Sequence, residues 1–340
     1  MDDNIRALAL FSGGLDSSLA IKIIQSQGID VIALNFVSNF FGMGLKTENM
    51  AKQLGVKLEF IDFKDRHLEM MKSPVYGFGK NMNPCIDCHS LMFRIAGELL
   101  PKYNAKFVIS GEVLGQRPMS QNLQALAKVE KLSGMGDLIV RPLCGKLLPP
   151  TRPVLEGWID SDCLLDISGR NRTRQMELIK EYGISEYPTP GGGCLLTDIA
   201  YSKRLRILAN DKLLEKEYSY LYPLLKLTKF FVLGERKYLF VGRDDNANKV
   251  IEKYEDNGNL QIIPLEIPGP RIMAFGKLSI EEEELACEIF SRYSKIKGID
   301  RVVFKIKEVQ NENIIREEEK SVDKLNFENL EKKIKMYQVL

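Results

Sequence analysis

The sequence predicts an α/β protein: a parallel sheet layered with helices, followed by a smaller α+β domain. Three observations predict it. Short β-branched runs alternate with helical patterns through the first half. An apolar strand at the amino end runs straight into a double-glycine turn and then a helix. Beyond about residue 212 the composition shifts and the alternation stops. Strand–helix alternation requires crossover connections, which make the strands parallel and cover both sheet faces.

Taken in order, strands are expected near 6–11, 30–36, 57–62, 106–110 and 137–141, and helices near 17–27, 45–54, 89–100 and 119–131. Ligands of such sheets collect at the carboxyl ends of the strands. The loop 12–18, then Asn35 and Phe36 ending the second strand, then Gly111 to Gln116 after the fourth, all fall on that edge. Residues 141–153 are proline-rich and read as a connector, followed by a helix from near Asn171 and the turn-rich Tyr187-Pro-Thr-Pro-Gly-Gly-Gly-Cys194. Phe230 to Arg243 reads as a hairpin turning near Gly234, and strands at 259–263 and 301–307 flank a helix at 279–294. The charged tail from Asn311 to Leu340 carries Leu and Ile at helical spacing and is expected to be an amphipathic helix. The expected division is 1–212 and 213–340.

Bulk composition narrows the function classes. Forty-eight basic against 46 acidic residues give a net charge of +2, so no global field marks a nucleic-acid packing protein, although a local basic face stays open. The start Met-Asp-Asp-Asn lacks a charged-then-apolar signal pattern, and no run of about 18 apolar residues occurs. A cytoplasmic location without a membrane partner is therefore expected. Six cysteines in a reducing compartment suit thiols, catalytic groups or metal ligands rather than a disulfide framework.

The double-glycine turn is a phosphate cradle. Gly13 and Gly14 let backbone N–H groups face an anion. Ser12, Ser17 and Ser18 add hydroxyls, and the helix that follows aims its positive end at the same point. Asp16 is foreign to a pure anion site unless Mg²⁺ lies between it and the phosphates. No Gly-Lys-Ser/Thr follows, so this is not a Walker A loop, and no third glycine completes a dinucleotide fingerprint.

Cys85 and Cys88 are close together on a turn opening the 89–100 helix, and Cys194 follows three glycines that let its backbone enter a tight site. Three thiolates without a fourth suit a [4Fe–4S] cluster with one iron open to an exogenous sulfide. A persulfide on Cys194, resolved by Cys85 or Cys88, is the second reading. A structural zinc with His89 as fourth ligand is a third. The Cys-x-x-Cys-His pattern also matches c-type haem attachment, which the missing export signal argues against. Cys144, Cys163 and Cys287 read as buried inert thiols, and His67 as a surface or turn residue.

Ser12-Gly-Gly-Leu-Asp-Ser17 resembles the PP-loop of the ATP pyrophosphatases. Cys85-Ile-Asp-Cys88-His89 and Ile109 to Gln121 are similar to segments of the tRNA 4-thiouridine synthetases, while Asn83-Pro84-Cys85 and the Gly-Gly-Gly-Cys194 segment resemble the tRNA 2-thiouridylases. The resemblance covers roughly the first 200 residues. It implies ATP cleavage between the α and β phosphates, adenylation of a uracil carbonyl, and sulfur transfer to RNA. The acceptor it implies is tRNA, with rRNA also open. It assigns ATP to Ser12, Gly13, Gly14, Asp16, Ser17, Ser18, Asn35, Phe36, Gly111 and Gln116, with Ser120 and Gln121 near the ATP or base pocket. Asp16, Cys85, Cys88 and Cys194 would carry the chemistry. The sulfur donor would be sulfide or a cysteine desulfurase. Two departures stand out: His89 replaces the Lys expected after the second cysteine, and the synthetases' amino-terminal RNA-binding region is missing before the strand at residue 6.

RNA requires cations. Arg170, Arg172 and Arg174 form the densest basic cluster of the first half and could grip phosphates, or simply open a solvated helix. Val241 to Asn248 and Ile267-Pro-Gly-Pro270 resemble the NFACT-R type of RNA-associated domain. There Lys226, Lys229, Arg236, Lys237 and Arg243 interleave with Tyr222, Phe230 and Tyr238, either as stacking platforms or as core.

Overall fold

A computed structural model describes residues 5–42, 44–185, 193–254, 257, 260–294, 301–310, 313–323 and 327–340. Two units divide at Thr197/Asp198. The first contains β1 (Arg6–Leu10), α1 (Leu15–Gln25), β2 (Asp30–Val37), α2 (Leu45–Leu54), β3 (Lys57–Asp62), α3 (Lys64–Lys72), α4 (Cys85–Leu99), β4 (Phe107–Ser110), α5 (Leu123–Ser133), β5 (Ile139–Val140), α6 (Arg152–Leu155) and α7 (Thr173–Glu181). Its five strands run parallel in the order β3-β2-β1-β4-β5.

Strand alternation distributes the core. Ala7 and Ala9 face α1, α2 and α7 with Leu19, Ile23, Met50 and Leu178. Leu8 faces α4 and α5 with Phe93, Ala96 and Val129. Each large side chain removed from water there contributes about 1.5–3 kcal/mol. The chain leaves β1 towards β2 and β3 on one side, then returns to place β4 and β5 on the other. Strand order therefore reverses between β1 and β4, and the crevice at their carboxyl ends is where such sheets bind ligands. Helix α3 was not expected, because in its polar sequence only His67, Leu68 and Met71 point inward.

The second unit contains α8 (Ile199–Asn210), α9 (Leu221–Leu227), β6 (Thr228–Gly234), β7 (Lys237–Gly242), α10 (Asp245–Lys253), β8 (Leu260–Pro264), β9 (Ile272–Phe275), α11 (Ile280–Tyr293), β10 (Arg301–Gln310), β11 (Asn313–Asp323), α12 (Phe327–Tyr337) and β12 (Gln338–Val339). Its sheet is antiparallel, in the order β11-β10-β8-β9-β7-β6-β12. The division falls before the expected residue 212, because α8 bonds into this unit. Arg204 donates to the carbonyls of Leu225 (2.7 Å) and Thr228 (3.2 Å), and Tyr201 Oη donates to Tyr222 O (3.2 Å).

The tail departs from expectation in one half. Residues 313–323 form a strand, and only 327–337 are helical. Opposite charges across the ladder favour the strand: Lys307 pairs with Glu317 in register, and Glu308 with Arg316. Arg316 also clamps the buried carboxylate of Glu283 on α11 with two hydrogen bonds, at 2.6 and 3.0 Å. Removing it leaves Glu283 buried without a cation. Arg316→Ala is expected to lower the stability of this unit by roughly 1–3 kcal/mol in urea denaturation. Adding Glu283→Leu should recover most of that loss.

Candidate functional site

The loop between β1 and α1 lies at the reversal of strand order. Gly13 takes φ +74°, a region that disfavours side chains, and a Cβ there would meet Thr47 Oγ1 at 3.0 Å. No side chain caps α1 at Gly14, so its first-turn N–H groups stay available to an anion. Gly14 N–H donates to the Ser12 hydroxyl at 3.3 Å. Ser17 and Ser18, expected as phosphate donors, are buried and give their hydroxyls to Gly14 O, both at 2.9 Å. Their immediate effect is to brace the turn.

Asp16 sits at the centre of a polar chain. Its Oδ2 accepts from Gln116 Nε2 (2.7 Å) and Arg172 Nη2 (3.3 Å), and Gln116 Oε1 accepts from Gln175 Nε2 (3.1 Å). The other oxygen, Oδ1, is buried and unbonded. A dry unpaired carboxylate oxygen beside an open helix end fits the oxygen-ligand chemistry of Mg²⁺. Gly111 makes this meeting possible: a Cβ there would stand 2.5 Å from Asp16 C, so β4 hands its loop directly onto α1. Asn35 Nδ2 donates to Phe11 O at 2.9 Å, tying β2 to the turn. Phe36 differs from expectation. Its ring is buried edge-on to Phe63, at 5.3 Å between centroids, which makes it a core side chain. Ser120 and Gln121 are buried in the 111–121 loop, and Asn122 is the residue that caps α5.

Helix α4 starts at Cys85, so Cys85 and Cys88 share one face at i,i+3 spacing. Asn83 Nδ2 donates to Cys85 Sγ at 3.3 Å. The Cys194 segment is stitched in twice: Asn81 Nδ2 donates to Thr197 O (2.8 Å), and Leu195 N–H to Phe40 O (3.1 Å). The three thiols feel one another. Burial pushes Cys88 well up, and Cys194 and Cys85 push it further. Burial lifts Cys194 to about 11, against the Leu196 N–H, with Cys85 adding to the rise and the Arg117 charge opposing it.

Among the described residues no three His, Cys, Asp or Glu side chains are arranged to hold a metal ion. His89 Nδ1 meets Glu112 Oε1 at 2.7 Å. Asp87 accepts from the Val75 and Tyr76 N–H groups and holds the preceding loop. Cys85, Cys88 and Cys194 are all free thiols, Cys88 buried and the other two partly buried.

Sequence reading passed over Glu112 and Arg141. Glu112 is buried and accepts from Arg141 Nε (2.8 Å) as well as meeting His89, while Arg141 Nη1 donates to Glu130 Oε1 (2.5 Å). Burial alone would raise the Glu112 carboxyl, but the Arg141 charge and the His89 hydrogen bond hold it down to about 2. This network ties the thiol helix to the loop that reaches Asp16. The available signal was a lone acid directly after Gly111.

Other expectations are corrected. The three arginines do not act together: Arg172 meets Asp16, Arg174 pairs with Glu177 and Glu181 (both 3.0 Å), and Arg170 is exposed. Tyr222, Phe230 and Tyr238 are fully buried core residues, not stacking platforms. His67 is buried among Phe40, Phe41 and Phe63, and burial lowers its pKa to about 4. Cys163 is exposed, because its turn lies on the surface.

Residues 4–147 match the family described as thiamine biosynthesis protein (ThiI), and residues 229–332 match the NFACT protein RNA binding domain. The chain is 27% identical over 192 residues to a probable tRNA sulfurtransferase of Thermococcus kodakarensis, covering 54% of this chain and 45% of that protein. It is 26% identical over 144 residues to a tRNA-specific 2-thiouridylase MnmA of Listeria monocytogenes, covering 38% of each. It spans less than half the length of these relatives. A crystal structure of a 4-thiouridine synthetase–RNA complex with bound ATP aligns with 65% of this chain and 52% of that one, at 21% identity and a TM-score of 0.39.

Gly111→Ala is expected to destabilise the first unit by roughly 1–3 kcal/mol, measured by urea denaturation, because the methyl must displace backbone rather than a flexible side chain. Glu112→Gln gives a pH signature. The depressed carboxyl stabilises fully above its unfolded pKa of about 4.3, and that contribution is lost as pH falls from there towards 2. The stability gap between wild type and Glu112→Gln, read by denaturation from pH 3 to 7, should stay level above pH 5 and narrow below it.

Proposed function

We propose that this chain, joining a ThiI-type PP-loop domain to an NFACT-type RNA-binding domain, is an ATP-dependent RNA uridine thiolase with tRNA as acceptor. One observation carries the reading: the 111–121 loop serves both halves of such a reaction. Gln116 bonds to Asp16 in the glycine turn at 2.7 Å, while Glu112 meets His89 on the helix of Cys85 and Cys88 at 2.7 Å. An adenylate hydrolyses readily, so activation and sulfur delivery must share a shielded site.

The turn's N–H groups would hold the triphosphate as a uracil carbonyl oxygen attacks the α-phosphorus. The P–O bond to pyrophosphate breaks, and the fixed dipoles of α1 stabilise the departing charge. Asp16 Oδ1, with the phosphates, would hold Mg²⁺, which neutralises charge on the leaving group. A sulfur nucleophile then adds to the activated carbon and AMP leaves with the former carbonyl oxygen. Cys85, Cys88 and Cys194 would hold a [4Fe–4S] cluster with one open iron, which supplies that sulfur when loaded by sulfide or a cysteine desulfurase. Asn83 orients Cys85, and Asn81 holds the Cys194 segment in place. Such a reaction belongs in the cytoplasm, and no described helix is long and apolar enough to cross a membrane.

For RNA, the second unit supplies a group of neighbouring cations, Lys229, Arg243 and Arg292, of which Arg292 meets Glu331 at 3.4 Å. Lys226 and Lys237 are neutralised by Asp198 and Glu282, while the Arg236 guanidinium donates to the Asp211 carbonyl and the Tyr218 hydroxyl. Lys229 instead lies over the Tyr293 ring at 3.9 Å, and burial together with Arg243 and Arg292 lowers its pKa. Cations that repel one another gain by meeting phosphate.

The test is loss of product. RNA from a deletion strain should lack one thionucleoside in tRNA, and a complete thionucleoside profile would overturn the assignment. Loss confined to rRNA would move the acceptor. Anaerobically purified protein should contain about four iron and four sulfide per chain, with Cys194→Ala losing both. Metal-free active enzyme would replace the cluster with a persulfide route.

A further inference from the structure

We propose that Arg172 is a phosphate-binding cation of the nucleotide site, held against Asp16 until a triphosphate draws it away. This rests on the reading that the glycine turn binds ATP, and it reassigns a residue that sequence alone grouped with an RNA grip.

Four features support the assignment. The Arg172–Asp16 contact is a single long one, 3.3 Å from Nη2 to Oδ2, whereas Gln116 holds the same oxygen at 2.7 Å. Asp16 therefore keeps its position without Arg172. Asp16 Oδ1 is buried and bonded to nothing, so the carboxylate is arranged for a second cation. Once that oxygen is satisfied, the attraction that retains Arg172 weakens, and the phosphates become its stronger partner. Helix α7 is also built to hold a mobile arginine. One turn on, Gln175 is fully buried and bonded to Gln116, and α7 packs on α1, the phosphate-binding helix. The helix is anchored while the Arg172 side chain remains 27% exposed. Finally, neither neighbouring arginine reaches this point. Arg174 is occupied by Glu177 and Glu181, and Arg170 is exposed.

A guanidinium suits the role, because it presents paired N–H donors to phosphate oxygens and never loses its charge. A nucleotide-free site with an unbalanced Asp16 would repel its anionic ligand; with Arg172 parked there, that charge is neutral until exchange. The device therefore favours triphosphate over monophosphate, since AMP lacks the phosphates that would recruit Arg172.

Isothermal titration of wild type, Arg172→Ala, Arg172→Lys and Arg174→Ala with ATP and with AMP, in Mg²⁺, tests this directly, beside tRNA binding by filter retention. Arg172→Ala should weaken ATP roughly 10- to 100-fold and AMP less than threefold. Arg172→Lys should recover part of the loss, and Arg174→Ala should leave ATP affinity unchanged. Equal ATP affinity in wild type and Arg172→Ala overturns the proposal and leaves the thiolase reading standing. Loss of tRNA affinity with ATP affinity intact also overturns it, returning Arg172 to an RNA grip. Wild type that binds no ATP overturns the thiolase reading and this proposal together. Thermal melts of each variant exclude misfolding, and the retained charge of Arg172→Lys provides a second arm.

Discussion

The site depends on backbone meeting backbone where Gly111 lies against Asp16 and Ser17. No side chain fits between them, and van der Waals exclusion therefore fixes how closely the β4 loop approaches α1. That approach lets Gln116 reach Asp16, and Glu112, the residue after Gly111, meets His89 on α4. The glycine turn and the helix of Cys85 and Cys88 are thereby both tied to the 111–121 loop. Parallel topology supplies the stage, since only the reversal of strand order between β1 and β4 leaves a crevice there.

The second tie is electrostatic. Glu112 follows Gly111 and is buried with Arg141 and His89, so it links the loop to the thiol helix through charge-assisted hydrogen bonds. In low dielectric such a network is strong when complete and costly when broken. His89 joins this network through its Nδ1. The thiols are left as an all-cysteine set, with Asn83 and Asn81 as their polar supports.

The second unit shows the same separation of roles. Its aromatic residues build the core, and its sequence-clustered cations find different partners: Lys226 and Lys237 carboxylates, Arg236 a carbonyl and a hydroxyl, Lys229 the Tyr293 ring. Charge in a sequence window says little about free charge on a surface, because partners arrive from distant strands and helices. Asp198 reaches Lys226 and Glu282 reaches Lys237 only after folding.

The sequence by itself determined the alternating strands and helices of the first unit and the glycine turn that joins β1 to α1, because period and glycine are local properties. The hairpin of β6 and β7 was legible for the same reason. Tertiary structure alone decided which arginine meets Asp16, that Phe36 and Tyr238 are core, that His67 is buried, and that 313–323 is a strand. Each depends on a partner far along the chain: Arg172 on a residue in the first turn of α1, β11 on opposite charges across β10. Helical spacing in the tail was real but shorter in range than the cross-strand pairing that competed with it.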